Sequence, residues 1–389
     1  MSGVASRQSA IRFIVAIGTI SLFADVTYEG ARSINGPFLG TLGASAAAIG
    51  ITAGAGELIG YVLRLFSGAA ADRTQRYWTL VIIGYFINLL AVPLMALANH
   101  WGIAAALIIA ERAGKAIRTP ARDVMLSQAS KIVGRGWGFG LHEFMDQFGA
   151  FLGPLMVGLV LKQTGHYASA YALLAIPAGL ALASMFTAIK SYPDSSSFEE
   201  TKTNDPAGKK LPRAFWIYVI AAGLVAAGVV DYPLIAFHFH QTSLVSPATI
   251  PIFYAVAMGV EGLMALVFGK LFDRIGTGAL IVGVLLSAAS TPLVFFGSLY
   301  VALVGMALWG AGMGAQQTTL RARIADLVPA AKRGSAYGIF NTVFGVLWFA
   351  GSSAIGILYG RSLVAAVVFA AAAQLAAIPL LLMVRRKSA

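Results

Sequence analysis

The sequence predicts an all-α membrane protein of twelve transmembrane helices in two six-helix, pseudo-symmetric bundles, and three observations carry that prediction. Of the 389 residues, 58% are hydrophobic and only 11% are charged, with a mean hydropathy of +0.78, which fits no ordinary soluble domain. Apolar blocks follow one another from Ile11 to Val384, each long enough for the about 20 residues that a bilayer crossing takes. The second half also repeats the glycine and charge pattern of the first. A barrel is excluded, because barrel strands run to about ten residues and alternate apolar with polar.

Taken in order, the first span (11–39) opens behind Arg7 and Arg12 with no small-residue cleavage site, so it reads as a retained helix and not a removable signal. Spans at 46–70, 78–98, 101–126, 137–162 and 167–190 complete an N-terminal bundle, 1–190. Residues 191–212, SYPDSSSFEETKTNDPAGKKLP, are rich in Ser, Pro, Gly and charge, the composition of a polar connector. The C-terminal bundle, 213–389, holds spans at 213–239, 248–271, 278–297, 299–324, 335–359 and 363–384. Basic residues concentrate in alternate loops: Arg73 and Arg76, Lys131 and Arg135, Lys190 to Arg213, Lys270 and Arg274, Lys332 and Arg333, and the tail Arg385, Arg386 and Lys387. The other loops offer Lys162 and Arg361. That bias places both termini of a multi-pass membrane protein in the cytoplasm. The net charge of +12 follows from the asymmetry and from anionic lipid, not from nucleic acid. Without cysteine there is no disulfide and no thiolate metal site.

The repeat is visible in motifs. Gly68, Asp72, Arg73 and Arg76 follow the second span, and Gly269, Asp273 and Arg274 follow the eighth. Arg135 to Gly140 opens the fifth span and Arg333 to Gly338 the eleventh; from there Gly153 and Gly158 match Gly351 and Gly356 at a constant offset. Internal duplication of this kind builds many secondary transporters. On these residues the chain resembles the major facilitator superfamily over nearly its whole length, and within it the drug/proton-antiporter-like bacterial proteins. The superfamily signature G-x-x-x-D-R-x-x-R/K is met by Gly68, Asp72, Arg73 and Arg76, with a weaker copy at Gly269, Asp273 and Arg274. The resemblance implies the MFS fold and a latch at these loops that works in alternating access. In physical terms a small residue permits close helix approach, and the aspartate accepts hydrogen bonds from helix N-termini or bases. Gly149-x-x-x-Gly153-Pro154 looks like the signature of the superfamily's antiporters, although a second glycine after the proline is missing. Simple helix packing explains the same residues.

Charge inside the spans is the other informative feature. Such groups cost about 2.5–3.5 kcal/mol each at a bilayer centre and normally face a bundle interior or an aqueous cavity. On the first span Asp25 and Glu29 share a face with Tyr28 and Arg32 nearby; two carboxylates this close in low dielectric do not both ionise readily, which suits a proton carrier. A static Glu29–Arg32 pair, with Asp25 satisfied by Thr27 or Tyr28, is the alternative. On the fourth span Glu111, Lys115, Arg118 and Arg122 form one stripe at helical spacing, while Arg112 points elsewhere. This stripe binds an anionic substrate or pairs with Glu143 and Asp146, which share a face of the fifth span. Arg118 and Arg122, near the mouth, join the gating set. The second half carries fewer charges: Asp231, next to Tyr232, is expected in the cavity, and His238 and His240 are expected as solvated interfacial groups.

No GxxxxGK[ST], HExxH or GxSxG occurs, so neither ATP hydrolysis nor an enzyme activity is expected, and no cofactor. The reading is a monomeric secondary transporter whose partners are a small-molecule substrate, protons and membrane lipid. Proton-coupled export of a small amphiphilic or organic compound is expected, with Asp25, Glu29, Glu143 and Asp146 linked to the proton. Arg32, Arg112 and Lys115 tune them or contact ligand, and Tyr28, Asp231 and Tyr232 line the cavity. Uptake of an organic anion or metabolite is the first alternative, and a transport-dead receptor or scaffold the second.

Overall fold

The computed structural model describes residues 7–193, 211–328 and 333–384; most of the linker, Lys332 and the basic tail lie outside them. Among the described residues there are fourteen α-helices and no strand: α1 (Arg7–Thr41), α2 (Ala46–Thr74), α3 (Tyr77–Leu94), α4 (Trp101–Val133), α5 (Arg135–Thr164), α6 (Tyr167–Leu173), α7 (Ala175–Ser191), α8 (Arg213–Gly228), α9 (Tyr232–Gln241), α10 (Ile250–Ile275), α11 (Thr277–Phe296), α12 (Leu299–Leu327), α13 (Arg333–Arg361) and α14 (Leu363–Met383). The pairs α6/α7 and α8/α9 each make one interrupted span, so the helices form twelve crossings. Eleven of these are long and apolar enough to cross a membrane by composition. The twelfth is α4, whose length is sufficient but whose middle carries Glu111, Arg112, Lys115 and Arg118.

The chain packs as two units, Met1–Ser33 with Val62–Thr203, and Ile34–Tyr61 with Asn204–Ala389. Glycines explain why residues 34–61 belong to the second. The backbone of α1 at Gly36 lies against Pro233 and at Gly40 against Phe237, while α2 at Gly50 and Gly54 lies against Ser352, Gly356 and Phe349 of α13. Any side chain at Gly36, Gly50 or Gly54 would meet neighbouring backbone, so these helices approach as only glycine allows.

Both units repeat the same contacts internally. In the first, Gly153 of α5 faces the Val26 carbonyl and Gly30 of α1; in the second, Gly351 of α13 faces Ala227 of α8. Gly84 and Gly114 seat α3 on α4, as Gly283 and Gly312 seat α11 on α12. The expected close approach at Gly68 is not found: its nearest neighbour is Pro120 Cβ at 3.7 Å, an ordinary contact with room for a methyl group. The two loop motifs share a positive backbone angle, φ 55° at Gln75 within the first and at Gly276 just after the second. Arg73, Arg76, Asp273 and Arg274 are exposed there; the side chain of Asp72 lies outside the described set.

The seventh span is not the continuous helix expected over 213–239. It stops at Gly228 and restarts at Tyr232, with Val229 and Asp231 extended. Pro233, in the first turn of α9, brings no N–H to a continuing helix and crowds the preceding turn, so the break falls just before it. The freed carbonyls are satisfied by side chains, Gly228 O by Gln374 Nε2 at 2.8 Å and Val230 O by Trp309 Nε1 at 3.0 Å. Buried backbone without such donors would cost several kcal/mol in lipid.

The glycine contacts give a direct test. Gly153→Val drives a side chain into the α1 backbone and is expected to lower stability by about 1–3 kcal/mol. Gly179→Ala, with nothing within 4 Å of the added atom, should stay within about 0.5 kcal/mol. Thermal unfolding of the detergent-solubilised protein compares the two.

Candidate functional site: a buried charge cluster in the first unit

One face of α1 presents Ser21, Asp25, Tyr28, Glu29 and Arg32 at helical spacing, and α4 presents Glu111, Lys115, Arg118 and Arg122 toward it. The glycines Gly149 and Gly153 bring α5 against this face, placing Gly149 on the Leu22 carbonyl and the Asp25 Cβ. Close packing thereby carries His142 and Asp146 of α5 into the same place. From α3 come Tyr85 and Asn88, held by the Gly84–Gly114 crossing.

Two clusters result, with Arg118 between them. In the first, Tyr28 Oη donates to Asp25 Oδ1. Lys115 Nζ sits 3.8 Å from the centroid of the Tyr28 ring and 3.9 Å from Glu29 Oε1. Arg32 reaches the same Glu29 oxygen at 3.9 Å. Glu111 is held by Asn88, whose Nδ2 donates to its Oε1 at 2.8 Å and to its backbone carbonyl at 3.1 Å, and by Arg112 Nε at 3.3 Å. In the second cluster, Arg122 donates through Nε and Nη2 to Asp123 Oδ1 at 3.1 and 3.0 Å and through Nη1 to Ser21 Oγ at 3.1 Å. Asp146 Oδ2 lies 3.7 Å from Arg122 Nη1 and 3.6 Å from His142 Nδ1. His142 Nε2 is 3.0 Å from Ser21 Oγ, which is 3.4 Å from Tyr85 Oη.

Arg118 is fully buried. It donates Nη1 to Tyr85 Oη at 3.1 Å, and its guanidinium carbon lies 4.2 Å from the Tyr85 ring centroid and 5.9 Å from that of Tyr28. Aromatic faces stabilise a desolvated cation by about 2 kcal/mol, which helps to retain this buried base between the Tyr85 and Tyr28 rings. Its Nε and Nη2 have no hydrogen-bond partner, and neither has Asp146 Oδ1.

The structure therefore brings together Asp25, Tyr28, Glu29, Arg32, Lys115, Arg118, Arg122 and Asp146 of the residues expected from sequence. Of the two readings of Asp25, Tyr28 is its partner, while Thr27 bonds the Phe23 carbonyl. Glu143 stays out of the cluster, exposed and accepting from Gln147 Nε2 at 3.2 Å, because it points away from the α5 face that carries His142 and Asp146. Arg112, expected to point away from the stripe, reaches back to its member Glu111 at 3.3 Å and so joins the first cluster. Ser21, Tyr85, Asn88 and His142 were not anticipated; spacing offered a signal, since Ser21 and Asp25, and His142 and Asp146, stand at i, i+4.

The second unit is built differently. Asp231 is buried and accepts from Trp348 Nε1 at 3.0 Å and from the Ser352 hydroxyl. Tyr232 is fully buried, its ring 4.1 Å from that of Tyr254 and its hydroxyl donated to the Ile250 carbonyl at 2.7 Å. His238 corrects the expectation of a solvated imidazole: it is buried, 2.8 Å from Tyr359 Oη and packed edge-on to Phe295. The helix turns it inward, where a ring of this size fills space beside aromatics. Where α5 carries His142 and Asp146, α13 carries Phe340 and Phe344, stacked at 5.3 Å.

Twelve crossings in two units, one of which buries a dense ionisable cluster, are the construction of a membrane carrier. Residues 15–352 match the Major Facilitator Superfamily, and the chain belongs to that family. It is similar to an uncharacterized protein of Mycobacterium tuberculosis (strain CDC 1551 / Oshkosh), 39% identical over 97% of this chain and 94% of that one. An uncharacterized MFS-type transporter of Methanocaldococcus jannaschii is 23% identical over 89% of this chain and 88% of its own. Among solved structures, the nucleoside transporter NupG superposes with a TM-score of 0.76 at 13% identity, covering 96% of this chain and 100% of that one. A D-xylose-proton symporter gives 0.71 at 15% identity, covering 96% and 97%. At such identities these structures speak for the fold. The protein is an integral multi-pass membrane transporter and not an enzyme.

The charge pairing has a measurable consequence. Lys115→Met strands buried acid and should cost about 3–5 kcal/mol, as expected when one partner of a buried pair is removed. Adding Glu29→Gln should recover about half of the loss, because the stranded charge goes with it. Chemical unfolding of the single and double variants in detergent reads both.

Proposed function

We propose that the chain is a secondary active transporter that exports a small amphiphilic or organic compound in exchange for protons, by alternating access. The observation that carries this reading is the state of Asp146. Its carboxyl is largely shielded, its Oδ1 has no hydrogen-bond partner, and its Oδ2 stands beyond hydrogen-bond length from both Arg122 and His142. A carboxyl group held this loosely among cations can exchange its proton without rupture of a tight ion pair. Asp25, held by the hydroxyl of Tyr28, is the second proton-linked candidate, with Glu29 and Glu143 as further members of the set. Lys115, Arg32 and Arg112 compensate charge; Tyr28, Asp231 and Tyr232 are the proposed ligand contacts. The loops at Gly68–Arg76 and Gly269–Arg274 serve as the gate together with Arg118, Arg122, Gly153 and Pro154. A monomer in a bacterial inner membrane with both termini cytoplasmic fits the basic loops.

A second reading is uptake of an organic anion. The buried Arg118 favours it, because two of its donors are unspent and a carboxylate or phosphate of a ligand would use them.

A ligand screen by thermal shift at two pH values identifies a compound to work with, since a ligand that binds the folded state stabilises it by mass action. Proteoliposomes then decide. Under antiport, an outward-directed substrate gradient drives proton entry, and Asp25→Asn or Asp146→Asn cuts gradient-driven flux at least about tenfold while exchange of substrate for substrate persists. Uptake that rises with an inward proton gradient would eliminate export and leave the anion reading.

A further inference from the structure

His142, Ser21 and Tyr85 have no role in the transport reading, yet they lead from beside Asp146 on α5 through α1 to α3. Asp146 Oδ2 lies 3.6 Å from His142 Nδ1, an electrostatic contact beyond hydrogen-bond length; the hydrogen bonds are Nε2 to Ser21 Oγ at 3.0 Å and Oγ to Tyr85 Oη at 3.4 Å. Two guanidiniums flank the path, and each takes one oxygen lone pair: Arg122 Nη1 on Ser21 Oγ and Arg118 Nη1 on Tyr85 Oη, both at 3.1 Å. These bonds are fixed in direction, because arginine only donates. One hydroxyl proton and one further acceptor site then remain on Ser21, so its link to His142 and its link to Tyr85 must run the same way round the chain.

Two arrangements satisfy both ring nitrogens of His142 and the Ser21 hydroxyl. When Asp146 is ionised, Nδ1–H faces its charged Oδ2, Ser21 donates to the bare Nε2, and Tyr85 donates to Ser21. When Asp146 is protonated, its O–H faces a bare Nδ1, Nε2–H donates to Ser21, and Ser21 donates to Tyr85. The two differ by one proton in total, carried on Asp146; the imidazole is neutral in both and differs only in which nitrogen holds its hydrogen. With Arg118 and Arg122 in the cluster, a neutral ring is the form that adds no third positive charge. Arg122 is not stranded when Asp146 is neutral, because Asp123 holds it through two nitrogens.

We propose that His142 is a positioning residue that reads the protonation of Asp146 by exchanging tautomers, and so reverses the hydrogen-bond direction through Ser21 and Tyr85. This rests on the reading of Asp146 as a proton-linked carboxyl and extends it to three further residues. Its structural output is on α3: the Tyr85 hydroxyl proton is committed to Ser21 in one state and free for another acceptor in the other. The charged groups within reach of Asp146 are Arg118, Arg122 and Lys115 on α4, Glu143 on α5 and Asp25 on α1; none contacts a ring nitrogen of His142 in place of Asp146 and Ser21.

The test is nitrogen-15 NMR of histidine-labelled full-length protein in nanodiscs. His142 is one of five histidines and is assigned by the loss of its signals in His142→Gln. Carbon-13 labelling of aspartate follows the Asp146 carboxyl in the same samples, assigned with Asp146→Asn. The expected result is an interchange of the His142 Nδ1 and Nε2 shifts over the pH range in which Asp146 titrates, with one tautomer retained at all pH values in Asp146→Asn. Ser21→Ala should leave the Asp146 titration visible while weakening the interchange, which a purely structural role for Ser21 would not do. A His142 spectrum that stays constant while Asp146 titrates, or that becomes imidazolium, overturns this inference and leaves proton coupling intact. An Asp146 carboxyl that does not titrate overturns both.

Discussion

Everything in the first unit depends on placing α4 where its bases never meet lipid. Lys115, Arg118 and Arg122 follow one another along one helix face, and each is compensated differently. Lys115 has a carboxylate and a ring face, Arg118 has two ring faces and a phenol oxygen, and Arg122 has an aspartate beside it in sequence. Removing a charge from water costs several kcal/mol even after relaxation, so the acids of α1 and α5 are as much a requirement of the fold as a provision for transport. The glycines of α5 and α3 set the helix separations at which those partners reach one another.

The second unit shows what the same architecture becomes when that requirement is lifted. The contacts of Gly351 and of Gly283 with Gly312 repeat those of the first unit, but aromatic rings fill the positions that hold His142 and Asp146. Asp231 is a buried acid settled by neutral donors, an indole N–H and a serine hydroxyl. Backbone geometry has been retained through the duplication, whereas the polar chemistry has been concentrated in one copy.

How much of this was legible in the sequence depends on the length scale of the signal. Span number, the repeat and the membrane class follow from runs of apolar residues and from motif positions, and these are local properties of the chain. The charged stripe of α4 was readable because helical spacing alone puts 111, 115, 118 and 122 on one side. Its partners were not readable in full: Glu143 and Asp146 look equivalent by spacing, and only the rotation of α5 about Gly149 and Gly153 turns one inward and leaves the other exposed. Tyr85 and Asn88 lie in a span whose sequence gives no reason to single them out. His238 was misplaced because two histidines near a span end resemble an interfacial pair, while the inward turn of α9 is set by the interruption before Pro233.

The composition of α4 bears on how the protein is made. A segment with four charged residues in its central turns is a poor candidate for independent release from the translocon into lipid, where each such residue opposes insertion. Its neighbour α3 is almost wholly apolar, and it carries on one side the small and polar groups that α4 needs: Gly84 against Arg118 and Gly114, and Asn88 on Glu111. The α3–α4 hairpin, and not α4 alone, is therefore the unit whose contacts favour entry into lipid.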